Sequence, residues 1–330
     1  MTAGIKTLLN ALWAVPILAM AVGDPELAEL DRRLAGTADS LLIANDNLCQ
    51  SHMPVTGLVL TSSDQFPANS LPAPFTEGTE SPELAVGALT AGGAADEAGV
   101  TAGSLVLGIN GYAPAMLERT DGKQTLREAA FALLGSLDGE RIVLEFLEHG
   151  ERREISFAAP AGCHVLVEVL QGGGMEAIST GSVIQLGDEL VARAEDWQLA
   201  AIIAHELAHS ILAHRKRLSD AGVEKGLAGE FGRNRRLNLA AEIEADRLSP
   251  YLLANSARDP ADYARFWRSK LGRDISGGLL RSRAHPSASA RANIAEREIA
   301  EHWTGEAGAP YPAQLLALRE SGFEESESTK

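Results

Sequence analysis

Residues Trp197 to His214 describe a helix that must bury one side while carrying two histidines and a glutamate. Leu199, Ile203, Leu207 and Ile211 recur at every fourth position, and Ile202 and Ala208 widen the stripe. This spacing predicts an amphipathic helix with its apolar ridge turned into a core. Inside it, His205-Glu206-Leu207-Ala208-His209 reads H-E-x-x-H. Side chains four apart share a helix face, so both imidazoles can reach one metal ion. Glu206 follows the first imidazole by one position and can stand beside the metal rather than on it. Two neutral nitrogen ligands, an open position and an adjacent carboxylate are what zinc-assisted hydrolysis requires. The ordinary alternative is a polar surface pair. Against it, a Glu and two His on a largely buried helix are destabilising unless something satisfies them, and a metal does so.

A catalytic metal needs a third protein ligand. A histidine further along the same motif, as in H-E-x-x-H-x-x-G-x-x-H, is excluded, because Leu212 stands at the glycine position and Arg215 at the last histidine. His214 is one residue short and is expected to point elsewhere. Glu242-Ile243-Glu244-Ala245-Asp246 begins thirty-three residues after His209 in a helical context. Glu242 and Asp246 share a face one turn apart, whereas Glu244 points away. Glu242 is therefore the candidate ligand, and Asp246 the candidate acceptor for the free N–H of a ligand histidine. An exposed acidic helix face is the alternative, although Ala241, Ala245 and Leu248 indicate partial burial.

Composition narrows the classes. At 330 residues, with 45% hydrophobic content, the chain can build two compact domains. A net charge of −16 argues against nucleic acid as a main partner. Leu8 to Gly23 is mostly apolar, follows Lys6 and contains Ala19-Met20-Ala21 in small-x-small form. Residues 1–23 read as an export signal, with an uncleaved N-terminal anchor as the alternative, so the expected location is periplasmic or secreted, or anchored facing the periplasm. Cys49 and Cys163 could pair in an oxidising compartment; two unrelated buried thiols are the alternative.

Along the chain, residues 24–82 read as an amphipathic helix (Leu27, Leu30, Leu34, Leu41, Leu42) and a Pro/Ser/Thr-rich linker. Residues 83–159 alternate short strands and helices, with Asn110-Gly111 as a tight turn and Glu148 to Glu151 as a hairpin tip. Residues 160–320 carry the metal motifs, preceded by a hairpin over Ala177 to Gln185. Arg215 to Asn238, with its two basic clusters, reads as a lid or a solvated insertion, and residues 321–330 as a frayed tail.

Two resemblances add to this. Ala98-Gly99-Val100 with Gly103-Ser104-Leu105-Val106-Leu107-Gly108-Ile109-Asn110-Gly111 resembles a PDZ domain of the bacterial protease type. That family adds a peptide strand to its sheet, although a spacer role is an equal alternative. The H-E-x-x-H segment, then Glu242 to Arg247, then His285-Pro286 with Arg291, resemble the M48 family of zinc metallopeptidases. The resemblance implies one Zn²⁺ per chain on His205, His209 and Glu242, with Glu206 as general base. It also implies that His285 and Arg291 line the cleft, with His285 donating to an oxyanion or capping the metal and Arg291 pairing with Asp246. The expected fold is α+β: a mostly helical zincin-type metallopeptidase domain behind a small β-rich PDZ-like domain. The expected activity is endoproteolysis of misfolded or unfolded envelope polypeptides, with at most peripheral or N-terminal membrane contact. A peptide-binding holdase with a structural or latent metal site is the rival, and a peptide-trimming exopeptidase a third reading.

Overall fold

The computed structural model describes residues 25–66, 71–72, 75–76, 83–119, 124–223, 232–276, 285–303 and 310–323. The export-signal segment, most of the expected linker and the chain after Phe323 lie outside the described residues. The architecture is mixed α+β.

Helix α1 (Pro25–Ala44) buries Leu30, Leu34, Ala38, Leu41 and Leu42. After it, β1 (His52–Pro54) leads into a five-stranded antiparallel sheet. Its strands lie in chain order: β2 (Leu58–Ser62), β3 (Leu84–Leu89), β4 (Leu105–Ile109), β5 (Ile142–Glu148) and β6 (Glu151–Phe157). A short helix α2 (Ala94–Glu97) lies between β3 and β4, and α3 (Leu126–Gly135) between β4 and β5. Thr125 starts α3 with reciprocal hydrogen bonds to Glu128, a capping box. Asn110-Gly111 and His149-Gly150 both place two successive residues at positive φ, the backbone of a type I′ hairpin turn. The interior of this unit is Leu60, Val86, Val106, Ile109, Leu126, Leu144 and Phe146. The boundary expected at residue 83 cuts this sheet, because β2 forms one edge of it. Leu58-Val59-Leu60 is too short an apolar run to mark a strand without the partner β3 provides.

Strand β7 (Ala161–Cys163) then returns to pair with β1, His52 opposite Cys163. The sheet unit is thus an insertion whose two ends meet at the β1–β7 ladder. Cys49 and Cys163 are joined at this neck as a disulfide, with Cα atoms 5.5 Å apart. Gly162 is required here, since a Cβ would run into Val55 and the backbone of Leu42.

A three-stranded sheet follows, with β8 (Leu166–Leu170) parallel to β10 (Val183–Gly187) and β9 (Ala177–Ser179) antiparallel to it on the far edge. The helices are α4 (Asp188–Arg193), α5 (Asp196–Ile211), α6 (His214–Asp220), α7 (Gly232–Asn255), α8 (Ala261–Arg268), α9 (Lys270–Ser276), α10 (Ala288–His302) and α11 (Ala313–Leu316). All but α6, whose Leu218 packs with Leu237, Ala241 and Phe323, share one core with the strands. Leu199, Ile203 and Leu207 of α5 pack with Leu41 of α1, Ile184 and Leu186 of β10, Leu252 of α7 and Phe266 of α8. Helix α1 therefore belongs to this second unit rather than to a separate leader. Its apolar stripe is too large to be left in water, and α5 presents the matching surface. The frayed tail expected from residue 321 starts too early, since Phe323 is only 1% exposed. Among the described residues no helix is long and apolar enough to cross a membrane.

Candidate metal centre

Helix α5 is buried on nearly every side, and its polar residues are buried with it: His205 is 6% exposed and Glu206 8%. A capping box between Glu195 and Gln198 fixes its start. It ends at Leu212 because Ala213 takes the left-handed conformation, φ 52° and ψ 34°, which turns the chain into α6. The single helix expected as far as His214 is thus two helices joined at a kink.

Helix α7 packs along α5 and aims Glu242 at the histidine pair. His205 Nε2 lies 3.1 Å from His209 Nε2 and 3.3 Å from Glu242 Oε2, and His209 Nε2 lies 3.4 Å from Glu242 Oε1. The ligand atoms of these three residues fall within 4.8 Å of one another, a possible metal-binding triad. Glu242 Oε2 is buried without a hydrogen bond. Two imidazole nitrogens 3.1 Å apart with a buried carboxylate beside them form an arrangement that a cation between them satisfies.

His285 Nδ1 lies 3.0 Å from Glu242 Oε2 with its side chain half-exposed. Arg291 enters from α10, whose start Ser287 caps by accepting from Ala290 N–H. It is buried and reaches Asp246 Oδ1 at 2.7 Å, His205 Nδ1 at 2.8 Å and Glu242 Oε2 at 3.6 Å. Its guanidinium lies 3.8 Å over the Trp267 ring. Glu206 accepts no hydrogen bond from a side chain of the described residues.

Behind each histidine is a chain of polar groups. The Tyr263 hydroxyl sits 3.1 Å from His205 Nδ1 and donates to Asp246 Oδ1, while the direct His205–Asp246 distance is 3.4 Å. Tyr263 thus bridges the Nδ1 edge of His205 to Asp246, and Arg291 NH2 lies 2.8 Å from both His205 Nδ1 and His205 Nε2. On the other side His209 Nδ1 is 2.8 Å from His214 Nδ1, and His214 Nε2 is 3.1 Å from Glu244 Oε2. Glu244 accepts from Arg217 at 2.6 Å, and the Arg217 guanidinium lies 4.0 Å over the Phe323 ring. His214 and Glu244 do not face the triad, as expected, but neither points idly away: the kink at Ala213 swings His214 against the rear of His209. Arg217, read as part of a solvated basic cluster or lid, is 5% exposed. Tyr263, His214, Glu244, Arg217 and Trp267 carry no motif. The sequence signal covers Glu244 alone, which stands beside Ala241, Ala245 and Leu248, whereas Arg217 sits in the polar run His214 to Asp220.

The electrostatics follow from burial and these contacts. Burial opposes ionisation of Glu242, but His209, His205 and His285 outweigh it and hold the carboxyl well below the usual range. Burial likewise acts against Asp246, and Arg291 and His205 keep it lowered. Burial and Arg291 disfavour a proton on His205, yet hydrogen bonds to Asp246 and Glu242 raise it to about 9 without a metal. His214 is pushed down to about 4, chiefly by burial, and stays neutral.

Compared with protein-family profiles, curated proteins and solved structures, the chain matches none.

Proposed function

We propose that this chain is a zinc-dependent endopeptidase of the M48 type, with the five-stranded unit as a PDZ-like module inserted before a zincin-type catalytic unit. The observation that carries the reading is the convergence of His205, His209 and the buried Glu242 carboxylate on one point. The donor set of two imidazoles and one carboxylate matches catalytic zinc, which keeps a coordination position open. A zinc held there supplies Lewis-acid chemistry, a lowered water pKa and a polarised scissile carbonyl.

The protein's residues do the rest. Glu206 stands one position after His205 with no side-chain partner among the described residues, placed to take the proton of the attacking water and return it to the leaving amine. His285, half-exposed beside Glu242, is placed to donate to the oxyanion. Arg291 holds Asp246 and packs directly against the His205 ring, while Tyr263 links that ring to Asp246. Strand β9 lies at a sheet edge against α5 and offers its backbone to an extended polypeptide. The substrates proposed are unfolded or misfolded polypeptides in an oxidising, extracytoplasmic space, with which the Cys49–Cys163 disulfide agrees.

Glu206→Gln is the test. It should keep one equivalent of zinc and lose cleavage of an unfolded polypeptide by about 10²- to 10⁴-fold, the usual contribution of a general base. Cleavage at the wild-type rate removes Glu206 from the mechanism. Zinc uptake by the wild type with no cleavage of any unfolded chain points instead to a binding protein.

A further inference from the structure

Each of the two ligand histidines is backed by polar groups that include an arginine stacked on an aromatic ring, and Arg291 also touches the His205 ring directly. His205 leads to Tyr263, then Asp246, then Arg291 stacked on Trp267. His209 leads to His214, then Glu244, then Arg217 stacked on Phe323. The first chain lies wholly within α5, α7, α8 and α10. The second ends on the last described residues of the protein, where Arg217 Nε donates to the Ser321 carbonyl at 3.1 Å.

We infer that the Ser321–Phe323 segment is a positioning clasp for His209, acting through Arg217, Glu244 and His214 to hold that ring as a metal ligand. The inference rests on the metal reading above and adds a determinant of how tightly the metal is held.

The proton placement makes the chain directional. If His209 gives its Nε2 lone pair to the metal, its proton is on Nδ1 and must be donated to His214 Nδ1, 2.8 Å away. His214 Nδ1 must then accept, so the His214 proton is on Nε2, facing Glu244 Oε2 at 3.1 Å. Only an acceptor at Glu244 permits this. Arg217 supports one, because its guanidinium donates through NH1 and NH2 to both Glu244 oxygens and so uses them as acceptors. Arg217 is fixed in turn by the Ser321 carbonyl and the Phe323 ring. Phe323 is 1% exposed, packs against Leu237 and Ala241 of α7, and lies with its centroid 6.0 Å from the His214 ring. Ala241 precedes the ligand Glu242, so the segment seals the same stretch of α7 that supplies the third ligand. A buried ion pair is in itself weak evidence for stability. Its position behind a ligand is what assigns it a role.

The decisive experiment titrates full-length wild type, Glu244→Gln and Phe323→Leu with Zn²⁺ against a chromophoric chelator, recording each apo-protein's melting curve. The amide of Glu244→Gln can donate to His214 Nε2, which reverses both histidine tautomers and leaves a proton on His209 Nε2. Its zinc affinity should fall about 10- to 100-fold, and the Nδ1 proton signal of His209 in ¹⁵N-histidine NMR spectra should be lost. Phe323→Leu keeps apolar bulk but not the ring over Arg217, and should lose about threefold or more in zinc affinity. A folded Glu244→Gln protein with wild-type zinc affinity and tautomer overturns the clasp. If Glu244→Gln does not fold, an unchanged zinc affinity in Phe323→Leu overturns it. Wild type that takes up no zinc at all sinks the metal reading itself, a result distinct from either.

Discussion

Replacing Cys49 and Cys163 by alanine opens a loop of 114 residues that encloses the whole five-stranded unit. In the chain-entropy picture, closing a loop of that length removes about 16 cal/mol/K from the unfolded chain, or about 5 kcal/mol at 25 °C. With about 2.1 cal/mol/K of unfolding entropy per residue, a chain this long melts with about 0.7 kcal/mol/K, so the expected drop in Tm is about 7 °C. The folded state has reason to survive the change, because the same neck is also tied by the β1–β7 ladder and by α1 packed against α5. The assay is thermal unfolding followed by circular dichroism on the oxidised protein and the double variant, with zinc content measured at 25 °C. The zinc stoichiometry should be unchanged, since neither cysteine touches the triad. A Tm within about 2 °C of wild type, or two titratable thiols in the protein isolated from an oxidising compartment, would refute the reasoning.

Two further outcomes are expected. Ile203→Ala leaves a cavity at a fully buried position of α5 and should lower the unfolding free energy by about 2–5 kcal/mol in urea titrations; a loss under about 1 kcal/mol would show that the core does not pack around this helix as described. Asp39 on α1 accepts from Thr90, and burial raises its pKa to about 6. The folded state thus binds the proton more readily than the unfolded chain, so this carboxylate destabilises above pH 6, and stability is recovered as pH falls through 6 toward 4. Asp39→Asn should therefore gain on wild type by about 1 kcal/mol more at pH 7.5 than at pH 5, a figure reduced for the partial exposure of the side chain; equal differences at both pH values would contradict it.

Local pattern was enough for the parts of the chain governed by neighbours in sequence. The four-residue recurrence of Leu199, Ile203, Leu207 and Ile211 determines a helix with a buried face, and the pairing of His205 with His209 on it follows from helix geometry alone. The same holds for the cap at Thr125 and the turns at Asn110-Gly111 and His149-Gly150, where one or two residues dictate the backbone. Glu242 and Asp246 were legible as a shared helix face, though not the distance between that face and α5.

Tertiary structure decided what depends on groups far apart in the chain. Strand β2 exists because β3 pairs with it, and α1 belongs to the unit that holds His205, His209 and Glu242 because α5 offers it a complementary surface. Tyr263, His214, Glu244 and Arg217 became part of the site only when the left-handed turn at Ala213 and the packing of α7 and α8 brought them behind the histidines. A ligand's identity is written in short spacing, because one helical turn fixes it. The groups that orient that ligand come from anywhere the fold places a donor or acceptor within about 3 Å, and sequence distance carries no record of that.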